Sequence, residues 1–212
     1  MMKALLPLCL GMMLLSACSS REDSTLSDVR GLFRAPANSE RFVALFEEQA
    51  PALEILFLRT QSVSRLLLSH ENQGVLTWLS IEGASLKTRN GFIVGTRGFV
   101  EGLQAARVDD VERFILAETP GIATRFHTYL DGNNEISTRS YRCVVTPGEV
   151  ETLTLMGQTV SARRIAEDCR SLTDEFTNIY WVRNGEILQT AQWVGPIVGT
   201  LLIRLVNIYD GQ

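Results

Sequence analysis

The sequence contains only two histidines, His70 and His127, and four cysteines, and neither histidine stands at zinc-like spacing to a cysteine. A zinc site built from such ligands is therefore not expected. No run of lysine or arginine of the kind that coats a phosphate backbone is present. The 20 Lys+Arg are outnumbered by 24 Asp+Glu, for a formal charge of −4, so nucleic acid is not an expected partner. No apolar stretch reaches the ~20 residues that a membrane-spanning helix needs. No serine sits in a Gly-x-Ser-x-Gly elbow. The glycine-rich segment Gly91 to Gly98 follows a hairpin turn instead of opening a helix, which argues against a phosphate cradle. Asp131 to Glu135 carries calcium-ligand residue types without the full loop, and reads as a turn. No cofactor is expected. Internal repeats and low-complexity segments are also absent.

What is present begins with an address. Lys3 gives a short positive start, Ala4 to Leu15 is apolar apart from Pro7 and Gly11, and Leu15-Ser16-Ala17-Cys18 matches a lipobox. This is the three-part layout of a secretory signal, ending at a cysteine whose thiol accepts a diacylglycerol. Acyl chains on Cys18 would tether the protein to a membrane, each buried CH₂ contributing roughly 0.8 kcal/mol. Similarity to known lipoproteins, in which an aspartate after the lipidated cysteine favours inner-membrane retention, makes Ser19 point to the periplasmic face of the outer membrane. The expected organisation is a removed signal peptide over residues 1–17, a lipidated tether and helical lead-in over 18–38, and one periplasm-facing β-rich domain over 39–212. Removing Lys3 with the signal leaves 19 Lys+Arg against 24 Asp+Glu, or −5. The remaining length suits one well-cored domain.

Cys9 leaves with the signal and Cys18 is consumed by lipid, so Cys143 and Cys169 remain. Two cysteines in an oxidising compartment usually pair, and a disulfide is expected here.

Along the chain, Ser24 to Ala50 shows helical spacing, with Phe42, Leu45 and Phe46 on one face, Ser39 as N-cap and Pro51 as terminator. Strand patterns follow. Asn90-Gly91 and Asn184-Gly185 each separate two strand-like runs and suit type I′ turns, because both residue types tolerate positive φ. Asp131-Gly132-Asn133-Asn134 joins Ile122–Leu130 to Glu135–Val145, and Gly157-Gln158 joins Val150–Met156 to Thr159–Ala166. Ile55–Leu58 and Ser64–Leu68 lead through a polar turn, His70 to Gly74, into Val75–Ile81. Gly98 to Val108 reads as a short helix from the spacing of Leu103, Ala106 and Arg107. Val160 to Cys169 alternates poorly, which suggests an edge, a bulge or a bend. Ile197 to Val206 reads as a strand covered on both faces. Consecutive hairpins imply a mainly β fold. The expected form is an antiparallel meander of hairpins in a sandwich or barrel-like core, with a few short helices.

Candidate chemistry is thin. Arg125, His127 and Tyr129 share one face of a strand, where His127 reads as a surface histidine before it reads as a general base. Trp78, Tyr180, Trp181 and Trp193 could stack on sugar rings or contact a partner if exposed, but within sheets such residues more often fill the core. Tyr180 and Trp181 are adjacent and must point to opposite faces.

Several segments together carry a resemblance. These are Leu86-Lys87-Thr88-Arg89-Asn90-Gly91 with Thr96-Arg97-Gly98, then Tyr141-Arg142-Cys143 and Ala166-Glu167-Asp168-Cys169. Phe176-Thr177-Asn178-Ile179-Tyr180-Trp181-Val182 and Gln192-Trp193-Val194-Gly195-Pro196 complete the set. From about Val75 to Val206 the chain resembles the YjbF/GfcB-type lipoproteins of group 4 capsule and exopolysaccharide secretion operons. It departs at Val100 and Gly102-Leu103, where that family has a further glycine and an acidic-Leu pair. The resemblance implies an outer-membrane lipoprotein that assists polysaccharide export beside other envelope secretion proteins, and it implies no enzyme. A polysaccharide-binding module and a glycan-modifying enzyme are the alternatives.

Overall fold

The computed structural model describes residues 40–100, 102–130 and 135–206. The signal segment, Cys18, Ser39 and the turn Asp131-Gly132-Asn133-Asn134 lie outside the described residues.

Turn chemistry sets the local architecture. Asn90 and Gly91 have φ of 48° and 84°, and Asn184 and Gly185 have 54° and 78°. Both central residues are thus left-handed, as a type I′ hairpin requires. Gln73-Gly74 and Met156-Gly157 adopt the same pair of conformations. The latter turn therefore lies one residue earlier than Gly157-Gln158, and Gln158 already begins a strand.

These hairpins organise twelve strands: β1 (Ala52–Phe57), β2 (Ser62–Asn72), β3 (Val75–Ser80), β4 (Ser85–Arg89), β5 (Phe92–Arg97), β6 (Leu103–Arg107), β7 (Gly121–Leu130), β8 (Ile136–Leu155), β9 (Gln158–Arg170), β10 (Glu175–Arg183), β11 (Glu186–Gly195) and β12 (Gly199–Val206). They form one antiparallel sheet in the order β5-β4-β3-β2-β1-β12-β11-β10-β9-β8-β7-β6. Two meanders, β1 to β5 and β6 to β12, are joined where β1 pairs with β12. The two end strands meet along part of their length, where the Leu103 N–H donates to Thr96 Oγ1 at 2.9 Å. The result is a nearly closed barrel with two short helices, α1 (Glu40–Glu47) and α2 (Asp109–Leu116).

Strand β5 is the key to the interior. Phe92 and Ile93 are successive and so point to opposite faces, yet both are fully buried, each in a different apolar cluster. Core therefore lies on both sides of β5. Its open edge at this level is satisfied by one side chain from β11. Gln192 Nε2 donates to the Gly91 carbonyl at 2.8 Å, and Gln192 Oε1 accepts from the Ile93 N–H at 3.1 Å. A buried amide thus does the work of a neighbouring strand.

Several expectations are corrected. Gly98 to Val108 is not a helix: Leu103–Arg107 is β6, paired with β7, and the helix starts at Asp109. The missed signal is the acidic first turn Asp109, Asp110 and Glu112, favourable at a helix N-terminus, with Val111 and Ile115 buried four residues apart. His70 lies within β2, opposite Thr77, and the turn is only Gln73-Gly74. β9 is an interior strand, and its bulge lies on the partner β8 between Pro147 and Val150. In β12 only Leu201 and Ile203 are buried, and Leu205 is 47% exposed. On α1 Leu45 is buried and Phe42 half-buried, but Phe46 faces outward.

Candidate functional site

The alternation in β7 resolves the unexpected way round. Ala123, Arg125, His127 and Tyr129 point inward and are buried, while Ile122 is exposed on the outer face. His127 is therefore not a surface residue.

Arg125 is the centre of a buried polar network in the β7–β11 half of the barrel. Its Nη1 donates to Glu167 Oε2 at 2.8 Å and Oε1 at 3.2 Å, and to Tyr180 Oη at 3.1 Å. Tyr180 in turn donates its hydroxyl to Glu167 Oε2 at 2.7 Å, and Asn178 Nδ2 donates to the same oxygen at 2.7 Å. Both charges have essentially no solvent exposure. A buried ion pair survives when its remaining donors and acceptors are satisfied, and this one is satisfied from four strands. Asn178 also explains an opening in the sheet. Beyond Ile179↔Ala191 the β10–β11 ladder stops, and the Trp193 N–H donates to Asn178 Oδ1 at 2.8 Å.

The network dictates protonation. Arg125 Nε donates to His127 Nε2 at 2.8 Å. Since arginine cannot accept, Nε2 is unprotonated, and the neutral ring carries its proton on Nδ1, which donates to Tyr129 Oη at 2.9 Å. Burial, then the nearby Arg125 charge, hold the His127 pKa well below its ordinary value. For Arg125 burial is the largest single effect and opposes the charge, but the Glu167 carboxylate and the Tyr180 hydroxyl together outweigh it and the pKa is raised. Burial and Glu167 push the Tyr180 hydroxyl well above its usual range.

A pH dependence follows from His127. The unfolded chain binds its proton near pH 6.5 and the folded one only at lower pH, so this contribution is fully present above about pH 6.5. It is lost as pH falls, by up to ~1.4 kcal/mol per pH unit, until the folded pKa is reached. Urea unfolding between pH 7.5 and 5 should show that decline, and His127→Gln should flatten it. An unchanged slope in the variant would assign the decline to other groups.

The other sequence candidates separate. Trp78 is buried, with Nε1–H donated to Thr88 Oγ1 at 2.8 Å. Tyr180 is buried in the network, whereas Trp181 points outward and donates to Glu151 Oε2 at 2.7 Å. Trp193 is half-buried, stacked on Phe176 at 4.4 Å between ring centroids, with the His127 ring 5.9 Å away. Cys143 and Cys169 are directly opposite on β8 and β9 and are joined by a disulfide. Glu167 converges with them, but the sulfurs are spent on each other and the carboxylate on Arg125, so this cluster offers no metal site. Glu167 is likewise closed to a substrate by its three donors.

Two openings lead toward the second apolar cluster. A cavity of about 720 Å³ lies at the end marked by the turns at Gly74, Gly91 and Gly185, with Leu53, Leu76, Trp78, Ile187 and Ile203 in its wall. Its lining also includes the polar residues Glu71, Thr88, Asn90, Glu186, Gln189, Thr190 and Arg204, of which Arg204 is ion-paired to Glu54. At the opposite end of β1 and β2, a smaller cavity of about 410 Å³ is lined by Phe57, Phe99, Val100 and Ile197.

The family model described as "Group 4 capsule polysaccharide lipoprotein gfcB, YjbF" matches residues 45–206. The crystal structure of the hypothetical lipoprotein YmcC from Escherichia coli is similar, with a TM-score of 0.65 and 22% identity over 88% of this chain and 97% of that one. At that identity the likeness concerns the fold. A lipoprotein structure from Parabacteroides distasonis aligns over 74% of this chain and 94% of its own, at 11% identity, but its TM-score of 0.26 carries no argument. No curated protein sequence matches the chain.

Proposed function

The chain belongs to the family of group 4 capsule polysaccharide lipoproteins, and from that premise we propose that it is a non-enzymatic accessory factor in capsule or exopolysaccharide secretion, held by lipid on Cys18 at the periplasmic face of the outer membrane. Membership in a lipoprotein family implies a lipid-anchored envelope protein. The lipobox Leu15-Ser16-Ala17-Cys18 and the following Ser19 support the finer address. The observation that carries the role is the family match across residues 45–206. The site geometry is consistent with it, because the most unusual polar cluster is occupied entirely by its own members and serves to hold the barrel. Other envelope secretion proteins are the expected partners.

The glycan-binding reading loses two of its four aromatics as accessible platforms, since Trp78 and Tyr180 are buried, and rests on Trp181 and Trp193. Deleting the gene should lower surface polysaccharide severalfold, and Cys18→Ala should reproduce most of that loss by leaving the domain untethered. Measurement of cell-bound polysaccharide in the two strains tests this. Full secretion by the Cys18→Ala strain would refute an anchored role.

A further inference from the structure

The larger cavity has the make-up of a site for a hydrocarbon chain. At about 720 Å³ it falls within the range of small-molecule pockets, which are mostly apolar with a few placed polar groups. Leu53, Trp78 and Ile203 belong to one core cluster, and Leu68 and Leu76 pack against it. This wall has no accessible donor from its tryptophan, whose N–H is already given to Thr88. Among its polar groups the Thr88 hydroxyl is taken by Trp78 and the Arg204 guanidinium by Glu54, which thins the hydrogen bonding that a sugar would need. An alkyl chain needs none.

The way the chain enters the domain identifies the source. Arg41 Nη2, at the start of α1, donates to the Ser69 carbonyl, next to the wall residue Leu68, and Pro51 after α1 lines the cavity itself. The described chain thus begins, at Glu40, beside this cavity. At a maximum of ~3.6 Å per residue, a tether of 22 residues holds it within reach of the bilayer. We propose that this cavity binds one acyl chain of a membrane phospholipid, leaving the headgroup outside in solvent. The choice of a bilayer source rests on the anchored reading above, but the capacity of the cavity does not.

The test uses the chain from residue 18 onward with Cys18→Ala, and the fluorescent fatty acid cis-parinaric acid as probe. Saturable binding is expected, weakened tenfold or more by Leu76→Trp or Leu205→Trp, which fill the cavity from different walls, and by neither if binding occurs elsewhere. Melting curves identify any variant that fails to fold, leaving the other to decide. Absence of saturable binding, or indifference to a folded filled variant, overturns the site. Native mass spectrometry of the lipidated protein taken from phosphatidylethanolamine–phosphatidylglycerol vesicles should show one bound phospholipid, lost in the filled variants. Should the lipidated protein bind neither probe nor phospholipid while the Cys18→Ala chain binds the probe, the occupant is the protein's own anchor and the proposed source is wrong. Membrane fractionation tests the anchor separately, so failure of that reading is distinguishable from failure of the site.

Discussion

Glu167→Leu is expected to destabilise the fold by roughly 3–5 kcal/mol, because it leaves the Arg125 guanidinium buried without its counter-charge. The geometry gives the cation no easy escape. Arg125 is fully buried, and its other acceptors, His127 Nε2 and Tyr180 Oη, are neutral. The same substitution strips the carboxylate from Asn178 and Tyr180, which then hold donors facing an apolar side chain. Against a typical stability of about 5–15 kcal/mol, such a loss brings a domain close to unfolding. Urea unfolding followed by tryptophan fluorescence measures it. The double variant Arg125→Leu/Glu167→Leu should lose less than the sum of the two single variants, since no isolated charge remains. A loss below about 1 kcal/mol in Glu167→Leu would mean that the guanidinium finds water, and would remove the network as the barrel's internal clamp.

Removing the disulfide should have a comparable effect. Cys143 and Cys169 close a loop with a sequence separation of 26, for which the chain-entropy estimate is about 3.5 kcal/mol. Replacing both by alanine leaves no unpaired thiol and isolates the cross-link. The variant should unfold at clearly lower urea, and reduced wild-type protein should resemble it. The bond also holds β8 and β9 in register beside Glu167, which shares the inward face of Cys169. The losses from Glu167→Leu and from the missing disulfide should therefore be non-additive. Unchanged stability in the alanine pair would show that the ladder alone sets this register.

Local order was legible wherever two or three residues encode it. Asn90-Gly91 and Asn184-Gly185 announce their turns because positive φ is a property of those residue types, independent of what lies elsewhere. The opposite directions of Tyr180 and Trp181 follow from the strand period alone. The poor alternation of Val160 to Cys169 has a remote cause: Glu167 points inward, and the neighbouring strand, not this one, carries the bulge. β6 was misread because Leu103, Ala106 and Arg107 satisfy helical spacing, while the pairing with β7 that overrides it cannot be seen from within the segment.

The candidate site was much less legible, for a physical reason. Period-2 alternation shows that β7 has two faces, but which one is buried depends on partners. Ile122, Phe126 and Leu130 make the ordinary apolar choice for the inner face. The structure puts Arg125 and His127 there instead, since Glu167, 42 residues away, and Gln192, 67 away, meet them inside. The amino-acid sequence by itself determined the tight hairpin turns, the antiparallel meander and the family. Tertiary structure alone decided that β1 joins β12, that β5 has core on both faces and that a charged pair lies within. Backbone conformation at a turn is set by adjacent residues, whereas burial of a charge becomes tolerable only when the whole barrel has brought its partners together.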